Sequence, residues 1–281
     1  MDYTMVQIDE PAPHVRRITL NRPEKRNALS GRLRTEINAA VRESETLDSV
    51  RVTIIRANGP SFCAGYDLSP SPGDNVSLEY GNQGLAGYQR SVVDLWTGMW
   101  DLCKPVIAQV HGHCLAGGTE LVTGCDLVYV AEDAKIGYPA VRFGVPDMQY
   151  HAWLLGMRRG MELVLTGDTM SGVEAADWGF ANRAFPADKL EEETLKIASR
   201  VAQIPSDILQ INKRTIHRAM DYMGMRQSLY AGTEMCALAT HTETFRAFLG
   251  NIMDKGLTSA LTERDKAFGD GRTATRASVD T

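Results

Sequence analysis

The chain has 281 residues, 43% of them hydrophobic and 23% charged, enough apolar material for one substantial core with a smaller appended part. A formal net charge of -5 excludes the polybasic footprint that binds nucleic acid, so no nucleic-acid partner is expected. No apolar run approaches the roughly 20 residues needed to span a bilayer, and Met1-Asp2-Tyr3-Thr4 lacks a basic-then-apolar leader pattern, so no membrane partner and a cytoplasmic location are expected. The cysteines Cys63, Cys103, Cys114, Cys125 and Cys236 form no CxxC pair, which fits reduced, mostly buried thiols. His111-x-His113-Cys114 offers metal-ligating residue types without the outlying ligands that a structural metal site draws on, and no metal is assigned.

In chain order, Val6 to Ile8 and Val15 to Leu20 predict two strands of a hairpin around Pro11 and Pro13. Leu29, Leu33, Ile37 and Val41 recur at helical spacing behind Ser30, a suitable N-cap, and predict a helix to about Thr46. Arg51 to Ala57 follows as a buried strand stopped by Asn58-Gly59-Pro60. The polar, glycine- and proline-containing stretch from Ser69 to Gly84 is expected to be a loop. Val92, Leu95, Trp96, Met99 and Leu102 predict one long amphipathic helix ending before Lys104-Pro105. Val106 to Val110 and Leu127 to Val130 are strand-like, and Ala116-Gly117-Gly118-Thr119-Glu120 between them must turn strand into helix. Beyond Met157 the pattern is nearly all helical apart from a short apolar piece at Phe180 to Phe185, expected as an edge strand. Repeated strand, turn and helix imply an α/β fold.

A glycine-rich turn entering a helix exposes unpaired backbone N–H groups. Gly117 and Gly118 let a ligand approach that main chain, and Glu120 projects near the same opening. Alone, such glycines are more often turn or packing residues than a ligand site. The pattern becomes specific when three segments are taken together: Asn21-Arg22-Pro23-Glu24-Lys25-Arg26-Asn27-Ala28-Leu29, Ser61-Phe62-Cys63-Ala64-Gly65-Tyr66-Asp67-Leu68, and Lys104-Pro105-Val106-Ile107-Ala108 through Gly112 to Glu120. In order and spacing they resemble the nucleotide-contacting loop and the two oxyanion segments of the crotonase (enoyl-CoA hydratase/isomerase) superfamily. Asp126-Leu127-Val128, Leu165-Thr166-Gly167-Asp168 and Glu174-Ala175-Ala176 with Trp178-Gly179 continue the likeness.

The resemblance implies a crotonase-like ββα spiral core over 1–195 with the acyl-CoA site, and a helical C-terminal trimerisation region over 196–281. It implies a homotrimer or hexamer, no permanently bound cofactor, and coenzyme A as part of the substrate. It places a backbone oxyanion hole at Tyr66 and Gly117, with Tyr66 bulkier than the alanine common there and expected to narrow the acyl pocket. Lys25, Arg26, Ala28, Ala64, Asp67 and Leu68 fall on the coenzyme A path, Arg22 adds a third cation to that loop, and Lys266 and Phe268 resemble a tail segment that reaches the cofactor.

Glu120 matches the first catalytic glutamate of the hydratases. Ala140, in Tyr138-Pro139-Ala140, stands where those enzymes carry the second, and alanine has no acid-base chemistry to offer. Asp147 after Gly144-Val145-Pro146 is the candidate replacement, equally well read as an N-cap for a helix through Trp153 and Leu155; His151 is the other titratable candidate. The implied function is an acyl-CoA-processing enzyme that stabilises a thioester enolate, with Glu120 and Asp147 as catalytic residues. A thioester hydrolase and a non-catalytic acyl-CoA-binding protein are the alternatives. Serine-peptidase chemistry is disfavoured, because Thr119 is the only hydroxyl at the turn and no GxSxG elbow is present.

Overall fold

The computed structural model describes residues 2–69 and 86–269; the expected loop from Ser69 to Gly84 therefore lies outside the described residues, apart from Ser69 itself. Strands β1 (Val6–Ala12) and β2 (Val15–Leu20) pair antiparallel. The hairpin turn puts His14 at φ 64°. To β2 are added, all parallel, β3 (Val52–Ala57), β4 (Val106–Val110), β6 (Leu127–Ala131) and β9 (Arg183–Phe185), giving the order β1-β2-β3-β4-β6-β9. β4 is buried throughout and β3 at every residue but Arg56, as parallel strands covered on both faces must be. β9 is the edge strand expected near Phe185.

A second sheet was not legible in the sequence. It consists of three short strands, β5 (His113–Leu115), β7 (Lys135–Gly137) and β8 (Thr169–Ser171), in the order β5-β7-β8. Three-residue strands carry too little alternation to stand out from turn sequence.

Helix α1 (Gly31–Thr46) begins as expected: Ser30 Oγ accepts the Leu33 N–H, and Leu33, Ile37, Ala40, Val41 and Ser44 form the buried stripe. The predicted long helix after the loop is instead α2 (Gly87–Thr97) followed by a 3-10 turn (Gly98–Asp101). Gly124 packs closely at this end of the helix: a Cβ on it would stand 2.7 Å from the Trp96 carbonyl oxygen. α3 (Gly117–Thr123) is buried at every residue. α4 (Tyr150–Thr166) is broken at Gly156, whose φ 70°, ψ 173° is not helical, so it joins two pieces. α5 (Gly172–Trp178) carries a capping box of Ser171 and Glu174, and α6 (Leu190–Val201) packs across β3, β4 and β6. The tail is α7 (Ser206–Tyr222), α8 (Met225–Ala239), α9 (Glu243–Lys255) and α10 (Leu257–Asp265). A smaller apolar cluster of Val93, Trp100, Met148, Tyr150, Met225, Leu229 and Cys236 ties α2, α4 and α8 together beside the main core. Among the described residues no helix is long and apolar enough to cross a membrane.

The start of α5 is seated by an absence of side chain: a Cβ on Gly172 would lie 1.8 Å from the Ala131 carbonyl oxygen of β6. Gly172→Ala is expected to cost about 3 kcal/mol, an overpacking penalty at the upper end of the usual range. Gly250→Ala in α9, where the added methyl meets open space, is expected to be neutral or to stabilise by up to about 1 kcal/mol through helix propensity. Denaturant unfolding of the two variants checks the contrast.

Candidate active site

Two chain segments zip together to build the site. The Phe62 N–H donates to His111 O, Cys63 N–H to His113 O and Leu115 N–H to Cys63 O, which brings Gly65 and Tyr66 alongside Leu115, Ala116 and Gly117. Gly65 sits at φ 100°, and a Cβ there would stand 3.1 Å from Leu115 O, 3.2 Å from the Ala116 Cβ and 3.6 Å from Gly117 N. Only glycine fits this approach. Ala116 then adopts φ 47°, ψ -117°, a costly conformation for a residue with a Cβ. Its carbonyl turns inward and accepts the Thr119 and Glu120 N–H groups and the Thr119 hydroxyl. The strain is the means by which β5 becomes α3 within one residue.

Two N–H groups at this junction make no backbone hydrogen bond among the described residues. Gly117 is the first residue of α3, so its N–H has no intrahelical acceptor. Tyr66 forms a parallel bridge with Leu29, in which Leu29 N–H donates to Gly65 O and Leu29 O accepts from Asp67 N–H. In that pattern the bridged residue's own N–H points away from its partner.

Glu120, on α3, is completely buried. The Tyr66 hydroxyl donates to Glu120 Oε2 at 2.5 Å and the Tyr138 hydroxyl to Oε1 at 2.9 Å; Trp96 Nε1 donates in turn to the Tyr66 hydroxyl at 3.2 Å. Burial raises the Glu120 carboxyl most, to about 7; the two phenolic hydrogen bonds oppose the rise, the Asp147 charge adds to it and His151 subtracts. Burial and the Glu120 charge hold both phenols well above their ordinary range, so they act as donors. The Tyr66 ring also lies against Gly117, where a Cβ would be 2.7 Å from it. Tyr66 was expected to shape the acyl pocket by bulk. Its hydroxyl instead reaches the glutamate.

Ala140 is buried two residues after Tyr138 in a 3-10 turn (Pro139–Phe143). Asp147 is not the N-cap of α4, a place taken by Gln149 in the left-handed region, although Asp147 Oδ2 does accept the His151 N–H at 3.2 Å. The Asp147 Oδ1 also lies 3.0 Å from His151 Nδ1, but out of line for a hydrogen bond, and both ring nitrogens of the fully buried His151 are without a hydrogen-bond partner among the described residues. The His151 ring stands edge-on to Tyr138, with centroids 5.5 Å apart, and parallel to Phe180.

The loop from Arg22 to Leu29 is sewn to the same segment. Asn27, fully buried, donates to Asn58 O and Ser61 O and accepts from Arg22 N–H, while Ala64 N–H donates to Arg26 O. Arg22 is committed within the protein: it pairs with Asp67 at 2.5 Å and donates to Ala28 O. Burial pushes the Asp67 carboxyl up, but Ser69 N–H and Arg22 outweigh it and hold it below the usual carboxylate range. Lys25 and Arg26 are left exposed. The His113 imidazole is pushed down by burial and by the nearby charges of Lys135 and Arg26. Lys25, Arg26, Ala28, Ala64, Tyr66, Asp67, Leu68, Gly117 and Glu120 thus fall on one set of joined segments, with Asp147 near enough for its charge to act on Glu120. Phe268 packs under Arg142 at 4.1 Å. Sequence reasoning missed the phenol of Tyr138 as a partner of Glu120, because nothing local links residues 18 apart.

The comparisons with known proteins agree with this architecture. The family model described as enoyl-CoA hydratase/isomerase matches residues 11–271. The mevalonyl-coenzyme A hydratase sidH of Aspergillus fumigatus is 32% identical over 225 residues, 78% of this chain and 80% of that protein. The crystal structure of an enoyl-CoA hydratase from Mycobacterium smegmatis superposes with a TM-score of 0.87 at 31% identity over 96% of each chain. One of an enoyl-CoA hydratase/isomerase from Xanthobacter autotrophicus Py2 gives 0.84 at 33% identity, covering 95% of this chain and 99% of that one. The chain belongs to the enoyl-CoA hydratase/isomerase family and has the crotonase fold. It is an acyl-CoA-processing enzyme of that family.

Because the Glu120 carboxyl titrates higher in the folded protein than its ordinary 4.5, its contribution to stability is fully present below that lower value and is lost as pH rises through about 7. Glu120→Gln keeps the shape and removes the titration. The stability of this variant relative to wild type is expected to improve between about pH 5 and pH 8.5 by on the order of 3 kcal/mol, read from urea unfolding at both pH values.

Proposed function

We propose that this protein binds the carbonyl of an acyl-CoA thioester between the N–H groups of Tyr66 and Gly117 and that Glu120 moves a proton at the carbon beside it. Charge that develops on the thioester oxygen as the proton leaves would be met by two preorganised main-chain donors in a water-poor site. The observation that carries this proposal is the Glu120 carboxyl: fully buried, held at both oxygens by phenols, and poised at about 7. A base poised near the working pH both accepts and returns a proton readily. A single such group is sufficient to take a proton from one carbon and deliver it to another, which fits Ala140 at the position of the second glutamate.

Lys25 and Arg26 supply exposed positive charge for the coenzyme A phosphates, and Ala28, Ala64, Asp67 and Leu68 line the approach, Asp67 by fixing Arg22. Coenzyme A enters as part of the substrate, with no resident cofactor. Asp147 acts beside Glu120, through its charge and through His151. In the alternative, thioester hydrolysis, His151 would activate water: its ring nitrogens make no hydrogen bond among the described residues, and its Nδ1 lies 3.0 Å from the Asp147 carboxylate. Exposed apolar side chains on α7 and α8, among them Ile211, Ile216, Met235 and Leu238, support self-association, which the family resemblance makes a homotrimer or a pair of trimers; the proposed location is the cytoplasm.

Glu120→Gln is expected to lower turnover of enoyl and β,γ-enoyl thioesters at least a thousandfold while leaving acyl-CoA binding within a fewfold, since it removes the base and retains the donors. In wild type, kcat is expected to rise with pH through about 7 as Glu120 loses its proton. Turnover that survives Glu120→Gln would remove Glu120 from the mechanism; binding without turnover in wild type would leave an acyl-CoA-binding protein.

A further inference from the structure

Arg34 projects from α1 toward the site. Its guanidinium carbon lies 5.7 Å from the centre of the Tyr66 ring and 5.4 Å from that of Tyr88, so the cation sits against both aromatic faces. Other partly buried guanidinium groups have carboxylates: Arg16 has Glu43, Arg22 has Asp67, and Arg142 has Asp168 and Asp265. Among the described residues no carboxylate pairs with Arg34. Its Nε is buried without a hydrogen-bond partner, and so is the hydroxyl of Tyr88.

A guanidinium that has no carboxylate among the described residues, whose buried Nε lacks an acceptor and whose polar neighbour is the Tyr88 phenol, is costly unless something else supplies an acceptor. Aromatic faces offset only part of that cost. The missing partner is an anion, and a planar carboxylate matches the guanidinium fork. The same Tyr66 ring that carries Arg34 on it lies against Gly117 and ends in the hydroxyl bound to Glu120. Arg34 is therefore about one aromatic ring from the place assigned to the thioester, a distance that a short acyl chain spans. Burial raises the Tyr88 phenol most, the Arg34 guanidinium opposes the rise by its charge and by its contact with the hydroxyl, and the Glu120 charge adds to it, so the phenol lies within reach of both charges.

We propose, resting on the acyl-CoA reading above, that Arg34 and the Tyr88 hydroxyl bind a carboxylate at the far end of the acyl group, so that this site selects short dicarboxylic acyl-CoA thioesters. Arg34 and Tyr88 are then specificity residues that take no part in proton transfer.

The test compares glutaryl-CoA with pentanoyl-CoA, which share chain length and coenzyme A and differ in the terminal carboxylate, by calorimetric titration into the full-length protein. Wild type is expected to bind glutaryl-CoA at least tenfold more tightly. Arg34→Met should weaken glutaryl-CoA binding about a hundredfold, as loss of one partner of a shielded charge pair does, and change pentanoyl-CoA binding less than threefold; Arg34→Lys should recover part of the difference. Unchanged pentanoyl-CoA binding shows at the same time that the Arg34→Met variant is folded. Equal or tighter binding of pentanoyl-CoA by wild type overturns the proposal, as does equal weakening of both ligands in Arg34→Met and Arg34→Lys. If wild type binds neither thioester, nor coenzyme A itself, it is the acyl-CoA reading that fails, and this one with it.

Discussion

The structure around α3 depends on keeping one carboxylate out of water. Glu120 has no solvent contact, and an isolated charge in that position would cost several kcal/mol. Two phenols, one to each carboxylate oxygen, supply charge-assisted hydrogen bonds that offset part of the cost. The offset is incomplete, and the carboxyl comes to rest at about 7 rather than at the value of an exposed glutamate. The glycines follow from the same constraint. Tyr66 reaches Glu120 only because Gly117 has no Cβ to hold its ring away, and the 61–66 segment lies close enough only because Gly65 accepts φ 100°. Ala116 bears the strain of turning β5 into α3 so that Glu120 faces inward.

The replacement of a second glutamate by Ala140 fits the same electrostatics. Asp147 is already near enough to raise the Glu120 carboxyl, and a further acid in this dry region would add like-charge repulsion to a group that is already costly to ionise. Tyr138, two residues before Ala140, contributes a donor where another acid would contribute a charge. In the reaction proposed above, such a site has fewer groups with which to add water across a double bond and suits the return of a proton to carbon. In the proposed reaction the chemistry is set as much by what Tyr138 and Ala140 leave out as by what Glu120 provides.

Much of this was legible in the sequence. The order of strands and helices and the Ser30 cap of α1 follow from periodicity and capping chemistry, whereas the meeting of the three motif segments was what the family resemblance implied. What was not legible was non-local or very short. The β5-β7-β8 sheet is built of three-residue strands whose pairing joins positions 22 residues apart, as His113 with Lys135, and 36 apart, as Lys135 with Ser171. The clamp on Glu120 brings together residues 54 and 18 positions apart. Arg22, an obvious cation for a phosphate when only its neighbours in sequence are known, is consumed by Asp67, 45 residues on. Asp147 was weighed as cap or as site residue, and it bonds a helix N–H while also acting on Glu120, because the first turn of α4 and the carboxylate share one wall.

Tyr66 links the parts of the proposed mechanism that would otherwise be independent. Its backbone belongs to the oxyanion segment, its hydroxyl to the base, and its ring to the surface on which Arg34 rests. An alanine at this position would keep the backbone donor, leave Glu120 with Tyr138 alone, and open a gap between the base and α1. The bulk that was first expected to narrow an acyl pocket therefore has a second consequence. It places the Arg34 cation one ring's width from Glu120 and keeps the two from pairing directly, which would favour the ionised carboxylate and make it a weaker base. Separation by an aromatic ring lets a buried carboxylate and a guanidinium with no carboxylate of its own among the described residues lie on either side of Tyr66, as the two proposals require.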